Sequence, residues 1–546
     1  MISGKGSSGQ MIQTPLSISY WSSDTSAEVF ETTVGSVLRD AARRSGSSAA
    51  LVEAIPDKSM RRRWTYSELL EDSERAARAL LGRFRPGERV AVWANNIPEW
   101  VILEFGCALA NLTLVTINPA LRARELAYVL GQSRAAGIFF VPEFRGNPMA
   151  ASLESVRAEL PELREAHSFA DWKSFCESGS PSERLPTVTP DDIAQIQYTS
   201  GTTGFPKGAM LHHRGITNNA RFYLQRRDPA TAAVSVNPMP LFHTAGSCMA
   251  TVGIPQFDCS HVLLPYFDPG LMLEVFESEK ATASGGVPTM LIAMMEHPDF
   301  RGRDLSKLES VASGGSTVPA ELVRRIETTL GVTFTIVFGM TETSPVITQT
   351  WPQDSAEDKA GTIGQPLPQA EVKIVDPATL ETLPVGTTGE LWVRGYQVMK
   401  GYFEKPAETA AAIVDGWMRT GDLCSMDERG YCRVEGRLKD MIIRGGENIY
   451  PREIEELLFG HPSVAEVAVV GIPDEQWGEV VAAFVRPAAG QAPTEADLFA
   501  YCREHLAPQK APKHWMFVEG FPMTPSGKIQ KFVLRERFLA TRSGAT

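Results

Sequence analysis

Cysteine is scarce and unpatterned in this chain. Its seven residues, at 107, 176, 248, 259, 424, 432 and 502, are an odd set without a CxxC pair, which excludes a disulfide framework and a thiolate zinc site. They read as small buried hydrophobes in a reducing compartment. The nine histidines hold no HExxH. No apolar leader opens the chain, and the best apolar stretch, residues 101–117, is interrupted by Glu104 and Asn111. Neither a signal peptide nor a membrane span is expected, and a cytoplasmic location is. Basic charge is also short: 53 Lys and Arg face 65 Asp and Glu, a net charge of −12, which argues against a protein that coats nucleic acid. Any anionic ligand must then be held by locally placed cations and backbone N–H groups. Glycine and proline, 45 and 37 of 546 residues, are too few for a collagen-like or disordered chain.

What remains is a globular composition, 43% hydrophobic and 22% charged, too long for one ordinary core and suited to two or more domains. The opening segment, up to about Phe30, reads as polar and irregular. Its GxGxxG at residues 4–9 follows no strand and opens no helix, so it is no dinucleotide fingerprint. Residues 89–94 read as a buried strand, followed by an apolar helix from about Pro98, a strand over 114–117, a helix with Leu126, Val129 and Leu130 on one face, and a strand over 137–141. This alternation predicts a mostly parallel α/β sheet. After Gly436 the texture changes to short strands around 465–470 and 480–485 separated by helices. One helix is opened by Pro451 and closed by Gly460, and another is capped by Thr494 with Asp497. The reading is an irregular segment 1–30, a large domain 31–436, a hinge at 437–440 and a small α+β domain 441–546.

The most informative segment is Tyr198-Thr199-Ser200-Gly201-Thr202-Thr203-Gly204-Phe205-Pro206-Lys207-Gly208, behind a weak strand signal at 193–197. Hydroxyl residues and glycines let N–H and O–H groups approach a polyphosphate, and Lys207 adds a positive charge. It is a phosphate loop but not Walker A, since Pro206 precedes Lys207 and no Ser or Thr follows it.

This loop resembles the signature of the adenylate-forming superfamily, which includes acyl-CoA synthetases, adenylation domains of nonribosomal peptide synthetases and luciferases. The resemblance continues in order through Pro240-Leu241-Phe242-His243, Ser313-Gly314-Gly315-Ser316, Phe338-Gly339-Met340-Thr341-Glu342-Thr343, Gly389-Glu390-Leu391, Thr420-Gly421-Asp422, Gly436-Arg437-Leu438-Lys439-Asp440 and Pro525-Ser526-Gly527-Lys528. It implies a large α/β domain with mixed and parallel sheets and a small mobile α+β domain.

The same resemblance implies roles. Thr199, Ser200, Gly201, Thr202, Thr203, Gly204 and Lys207 hold the phosphates of ATP, Gly315, Ser316, Phe338, Gly339 and Met340 surround the adenine, and Thr341 meets the α-phosphate. Glu342 holds Mg²⁺, for which a hard carboxylate oxygen is suited. Asp422, read as part of a turn, takes the ribose diol beside Arg437. His243 shapes the path to the substrate carboxylate, and Lys439 is the hinge. Gly445, Gly446 and Glu447 line the approach of coenzyme A. Lys528 is the cation that offsets repulsion when a carboxylate attacks the α-phosphate.

The implied reaction has two steps. A carboxylic acid and MgATP give acyl-adenylate and pyrophosphate, and the thiol of coenzyme A then displaces AMP. No protein nucleophile is called for, and no GxSxG elbow is present. The motif wording is most similar to medium- and long-chain fatty acyl-CoA synthetases, with Ala245-Gly246-Ser247-Cys248-Met249-Ala250 and Gly285-Gly286-Val287-Pro288 as walls of an apolar tunnel. Aryl or cyclic acids, loading of a carrier protein, and a non-catalytic binding relative stay as alternatives. So do a homodimer and peripheral attachment to a membrane.

Overall fold

The apolar stretch 101–117 divides into a helix and a strand. Pro98 starts the helix Pro98–Leu109, where its missing N–H costs nothing, and Asn111, at φ 54°, turns the chain into the buried strand Thr113–Ile117. The computed structural model describes residues 15–199, 206–228, 233–315, 318, 320–445, 447–523 and 529–543. Among these residues no helix is long and apolar enough to cross a membrane, and all seven cysteines are buried free thiols.

The predicted alternation forms the parallel part of a seven-stranded sheet. Arg89–Trp93 lies between Thr113–Ile117 and Gly137–Phe140, with Glu165–Ser168 and Ile193–Thr199 outside them, all parallel. Lys207–His212 then folds back antiparallel on Ile193–Thr199, and Gly401–Tyr402 pairs with it in turn. A nine-stranded, largely parallel sheet carries Ser310–Gly314 and Thr333–Gly339, and a six-stranded antiparallel sheet carries Gly389–Gly395, Trp417–Met426 and Cys432–Arg437. These make the large domain; a five-stranded sheet with its own helices makes the small one. The molecule is therefore mixed α/β with a large N-terminal and a small C-terminal domain.

Two expectations are corrected. The segment before Phe30 is not wholly irregular: Tyr20–Trp21 is an edge strand on Val372 and Lys373, held because Trp21 is buried and the Tyr20 hydroxyl donates to Glu371 at 2.5 Å. The small domain's two main strands are not short and separated by helices. Val464–Asp474 and Gly478–Pro487 form one long hairpin. Gly471 and Pro473 look like strand breakers, yet both pair, and Asp474 Oδ1 accepts from the Gln476 and Trp477 amides to close the turn. The predicted caps are present, with Pro451 opening Pro451–Phe459, Gly460 closing it, and Thr494 and Asp497 capping each other's backbone.

Buried neutral imidazoles fix the helix that follows the phosphate-loop strands. His212 Nδ1 accepts from the Gly215 amide at 3.1 Å while its Nε2 meets the Val398 carbonyl, and His213 Nδ1 accepts from the Val34 amide. Burial pushes His212 and His213 down to about 4, and it pushes His261, beside Asn237, down to about 3. Below the ordinary value of 6.5 the unfolded chain therefore binds protons that the folded chain refuses, so stability falls as pH falls. Thermal unfolding followed from pH 6.5 to 5 should show a falling midpoint with net proton uptake, smaller by about one proton in His261→Asn. A midpoint flat across that interval would mean that the imidazoles are charged in the fold.

Candidate active site

A cavity of about 2440 Å³ opens where the two large sheets meet the small domain. Gln197 and Thr199, Ser313 to Gly315, and Phe338 with Gly339 line it from the C-terminal ends of their strands, the usual place for a ligand in an open α/β sheet. Lys439 and Met441 line it where the chain enters the small domain, and Val467 lines it from within that domain.

The stems of the phosphate loop are fixed by pairing. Thr199 stands opposite Lys207 in the antiparallel ladder, and its hydroxyl donates to the Lys207 carbonyl at 3.4 Å. Ser200, Gly201, Thr202, Thr203 and Gly204 lie outside the described residues, as do Ser316, Gly446 and Lys528. Met523 and Ile529, on either side of 524–528, both line the cavity.

Lys207 Nζ lies 4.6 Å from the centre of the Tyr402 ring, and the Tyr402 hydroxyl donates to Glu342 Oε1 at 2.8 Å. Burial, then the Glu342 charge, pushes the phenol up, so it stays a donor. Glu342 is only 6% exposed. It sits on the single turn Thr341–Thr343, and its carbonyl is tied to the Met399 amide at 2.9 Å. Cation, ring, hydroxyl and carboxylate thus form one line. The sequence reading missed Tyr402, whose only signal was a Gly-Tyr pair far from any named motif.

Phe338, Gly339 and Met340 reach the cavity through a shift in the strand register. A Cβ on Gly339 would lie 1.9 Å from the Pro345 carbonyl, so only glycine fits between these strands. Gly315, at φ 79°, ends the Ser313–Gly314 wall. His243 lines the cavity from a turn in which its Nδ1 accepts from the Ala245 amide at 3.2 Å, leaving Nε2 to carry the proton of the neutral ring.

Asp422 lies within the strand Trp417–Met426 and not in a turn. The bend comes from Gly421, at φ 71°. Asp422 faces Arg437 across the ladder, and Arg437 Nε donates to its Oδ1 at 2.9 Å. The Asp422 charge raises the affinity of the guanidinium for its proton. Glu390, 2% exposed, holds this corner: its Oε1 accepts from the Gly421 amide, and its Oε2 from Trp392 Nε1 and from Arg419. The sequence showed Glu390 within a motif but gave it no role.

Lys439 lines the cavity just beyond Leu438, whose amide donates to the Gly421 carbonyl. Gly445 and Glu447 are not brought to the cavity. Gly445 is exposed beside Trp477, its amide on the Trp477 carbonyl, and Glu447 accepts from Gln509. No group of three His, Cys, Asp or Glu side chains able to hold a metal occurs among the described residues. Glu342 is a buried carboxylate that lines the cavity next to Tyr402.

Known proteins share this two-domain architecture. Residues 38–403 match the model of the AMP-binding enzyme family, and residues 453–528 match that of the AMP-binding enzyme C-terminal domain. The chain is 37% identical over 567 residues to the mitochondrial medium-chain acyl-CoA ligase ACSF2 of Rattus norvegicus, covering 95% of this chain and 90% of that one. The ATP-bound structure of MatB from Rhodopseudomonas palustris superposes with a TM-score of 0.86 at 28% identity, over 93% of this chain and 99% of that one. The anthranilate CoA ligase AuaEII, solved with anthranoyl-AMP, gives a TM-score of 0.84 at 27% identity, over 94% and 98%. With both domains matched and the whole architecture shared, the chain belongs to the AMP-binding enzymes of the adenylate-forming superfamily.

Proposed function

We propose that this enzyme is an AMP-forming acyl-CoA synthetase that converts a carboxylic acid, MgATP and coenzyme A into acyl-CoA, AMP and pyrophosphate. The observation that carries the reading is the line Lys207, Tyr402 and Glu342 beside the phosphate hairpin, in one cavity with His243. Lys207 and the loop residues Thr199 to Gly204 take the polyphosphate. Phe338, Gly339, Met340, Gly315 and Ser316 take the adenine, and Asp422 with Arg437 the ribose. Mg²⁺ fits a site with one buried hard oxygen donor and no cluster of side-chain ligands, because it is commonly held by one or two carboxylates together with substrate phosphates. Glu342 would hold it there, where it would spread the charge of the polyphosphate.

In the first step the substrate carboxylate attacks the α-phosphorus and pyrophosphate leaves. Lys528 offsets the repulsion between the two anions, and Thr341 orients the α-phosphate. In the second, the thiolate of coenzyme A attacks the acyl carbonyl and AMP leaves. Rotation about Lys439, in the hinge 437–440 between domains 31–436 and 441–546, exchanges Lys528 for the face carrying Gly445, Gly446 and Glu447. A medium- or long-chain fatty acid is the favoured substrate. The motif wording supports it, and so do the name of the rat relative and a wall that includes Ala245, Met249, Ala250 and Val287. Buried free thiols suit a reducing compartment such as the cytoplasm.

Pyrophosphate release with MgATP over straight-chain, aryl and cyclic acids, each with and without coenzyme A, tests the reading. A coenzyme A-dependent signal peaking at one chain length is expected. Adenylation without any acyl-CoA would point to carrier-protein loading, and silence to a binding relative. Lys528→Ala should cut adenylation by roughly 10²-fold or more while sparing thioester formation from preformed acyl-AMP; equal loss in both half-reactions would refute its role. Tyr402→Phe keeps the ring under Lys207 but removes a hydrogen bond to a charged group, so the KM for MgATP should rise about tenfold. An unchanged KM would mean that Glu342 does not need that donor.

A further inference from the structure

The cavity has a second, dry layer behind it. Glu104, on the helix Pro98–Leu109, is 2% exposed in an otherwise apolar setting. Its Oε1 accepts from Gln195 Nε2 at 2.6 Å, and its Oε2 is buried without a hydrogen-bond partner among the described residues. Gln195 is equally buried. With its nitrogen committed to Glu104, its oxygen gathers three donors: Gln197 Nε2 at 2.7 Å, Ser247 Oγ at 3.3 Å and Cys248 Sγ at 3.6 Å. Gln197 Nε2 also donates to Ser247 Oγ at 2.8 Å.

These contacts join two working surfaces. Gln195 and Gln197 share one face of Ile193–Thr199, the strand that runs into the phosphate loop. Ser247 and Cys248 belong to the π-helical segment Ala245–Val252, which starts two residues after His243 and puts Ala245, Met249 and Ala250 on the cavity wall. The Ser247 amide donates to the His243 carbonyl at 3.1 Å, and its hydroxyl, 3.3 Å from both that carbonyl and the Gln195 oxygen, shares its one proton between them. A π-helix is rare and is found frequently at functional sites, and this one is fixed from outside its own ladder by the Gln195 oxygen. The Gln195 oxygen supplies that fixing only when its amide faces the right way round.

We propose that Glu104 is a positioning residue of the acyl site: by taking the Gln195 nitrogen it sets the direction of that amide, and so clamps the wall 245–252 and His243 to the phosphate-loop strand. The function proposed above supplies the kinetic part of this claim; the clamp itself is independent of it. Burial pushes the Glu104 carboxyl well above its ordinary range, against the opposing bond from Gln195, which favours a neutral carboxyl. The ionisable groups facing it, the thiols of Cys107 on its own helix and of Cys248 on the π-helix, are also pushed up by burial. The cluster is thus a set of uncharged dipoles, and what matters is which atom faces which.

Glu104→Met keeps the length and packing but removes the acceptor, and Glu104→Gln keeps an acceptor that cannot ionise. Backbone hydrogen exchange of the full chain should quicken across 245–252 by roughly five- to tenfold in Glu104→Met, the scale of one hydrogen bond lost, and stay at the wild-type rate in Glu104→Gln. In acid-dependent ATP–pyrophosphate exchange the KM for the acid should rise by a similar factor in Glu104→Met, with the KM for ATP and the unfolding midpoint little changed. Unaltered exchange at 245–252 in Glu104→Met would overturn the proposal. So would equal damage in Glu104→Gln, which would mean that a charged carboxylate is needed, or a parallel loss of the midpoint and of both KM values, which would mean general destabilisation. A wild-type enzyme without pyrophosphate exchange for any acid would defeat the proposed function alone, and the hydrogen-exchange contrast would still decide the clamp.

Discussion

A protein of net charge −12 that gathers nucleotide phosphates must concentrate positive charge locally without letting its own carboxylates neutralise it. The hairpin Ile193–Thr199 and Lys207–His212 meets this constraint by geometry. Lys207 is held over an aromatic face, with no carboxylate pair among the described residues, so the ring sets its position. The Glu342 carboxylate meets the same tyrosine at its hydroxyl, from which it accepts a hydrogen bond. One side chain thus contacts both a cation and an anion of the cavity wall. An ion pair at the same place would spend its energy on itself, because opposite charges brought within hydrogen-bond distance at low dielectric attract strongly. Arg437 follows another rule. It is paired with Asp422 across the neighbouring ladder.

Much of this was legible in the sequence because it rests on local rules. The strands at 89–94, 114–117 and 137–141 and the helix from Pro98 carry strong periodicity and a proline start, and they formed within a residue or two of the reading. The ordered motifs delivered Glu342, Thr341, Phe338, His243 and Lys439 to one cavity. The failures have physical reasons. The hairpin was read as two short strands separated by helices, whereas cross-strand pairing carries it on through Gly471 and Pro473 in spite of their low strand propensity. Asp422 was read as a turn because Thr-Gly-Asp has turn chemistry, while the neighbouring ladder with Cys432–Arg437 extends it. Tyr402 and Glu390 were given no role because their partners are distant in sequence: Tyr402 meets Glu342 60 residues away, and Glu390 meets Gly421 31 residues away.

The weak strand signal at 193–197 has a related explanation. Two glutamines on one face of a central strand contradict the expected apolar pattern, and composition alone counts them against a strand. In the fold that face meets Glu104, Ser247 and Cys248, so the glutamines are buried among their own hydrogen-bond partners. A local rule broken inside an otherwise consistent element is therefore a pointer to a buried polar cluster, and such clusters tend to mark functional layers.

The buried polar groups also share a charge state. His212, His213 and His261 are driven toward neutrality by burial, and Glu104 is driven the same way from the acid side. Each then acts as a directional dipole: His212 and His213 receive backbone amides at the start of the helix His213–Arg226, and Glu104 receives a side-chain amide behind the acyl wall. These four groups are thus held toward the neutral form. An ion buried at any one of their places without a partner would carry a desolvation cost of several kcal/mol. Lys207, Glu342, Arg437 and Lys439 stand instead on the wall of the cavity itself.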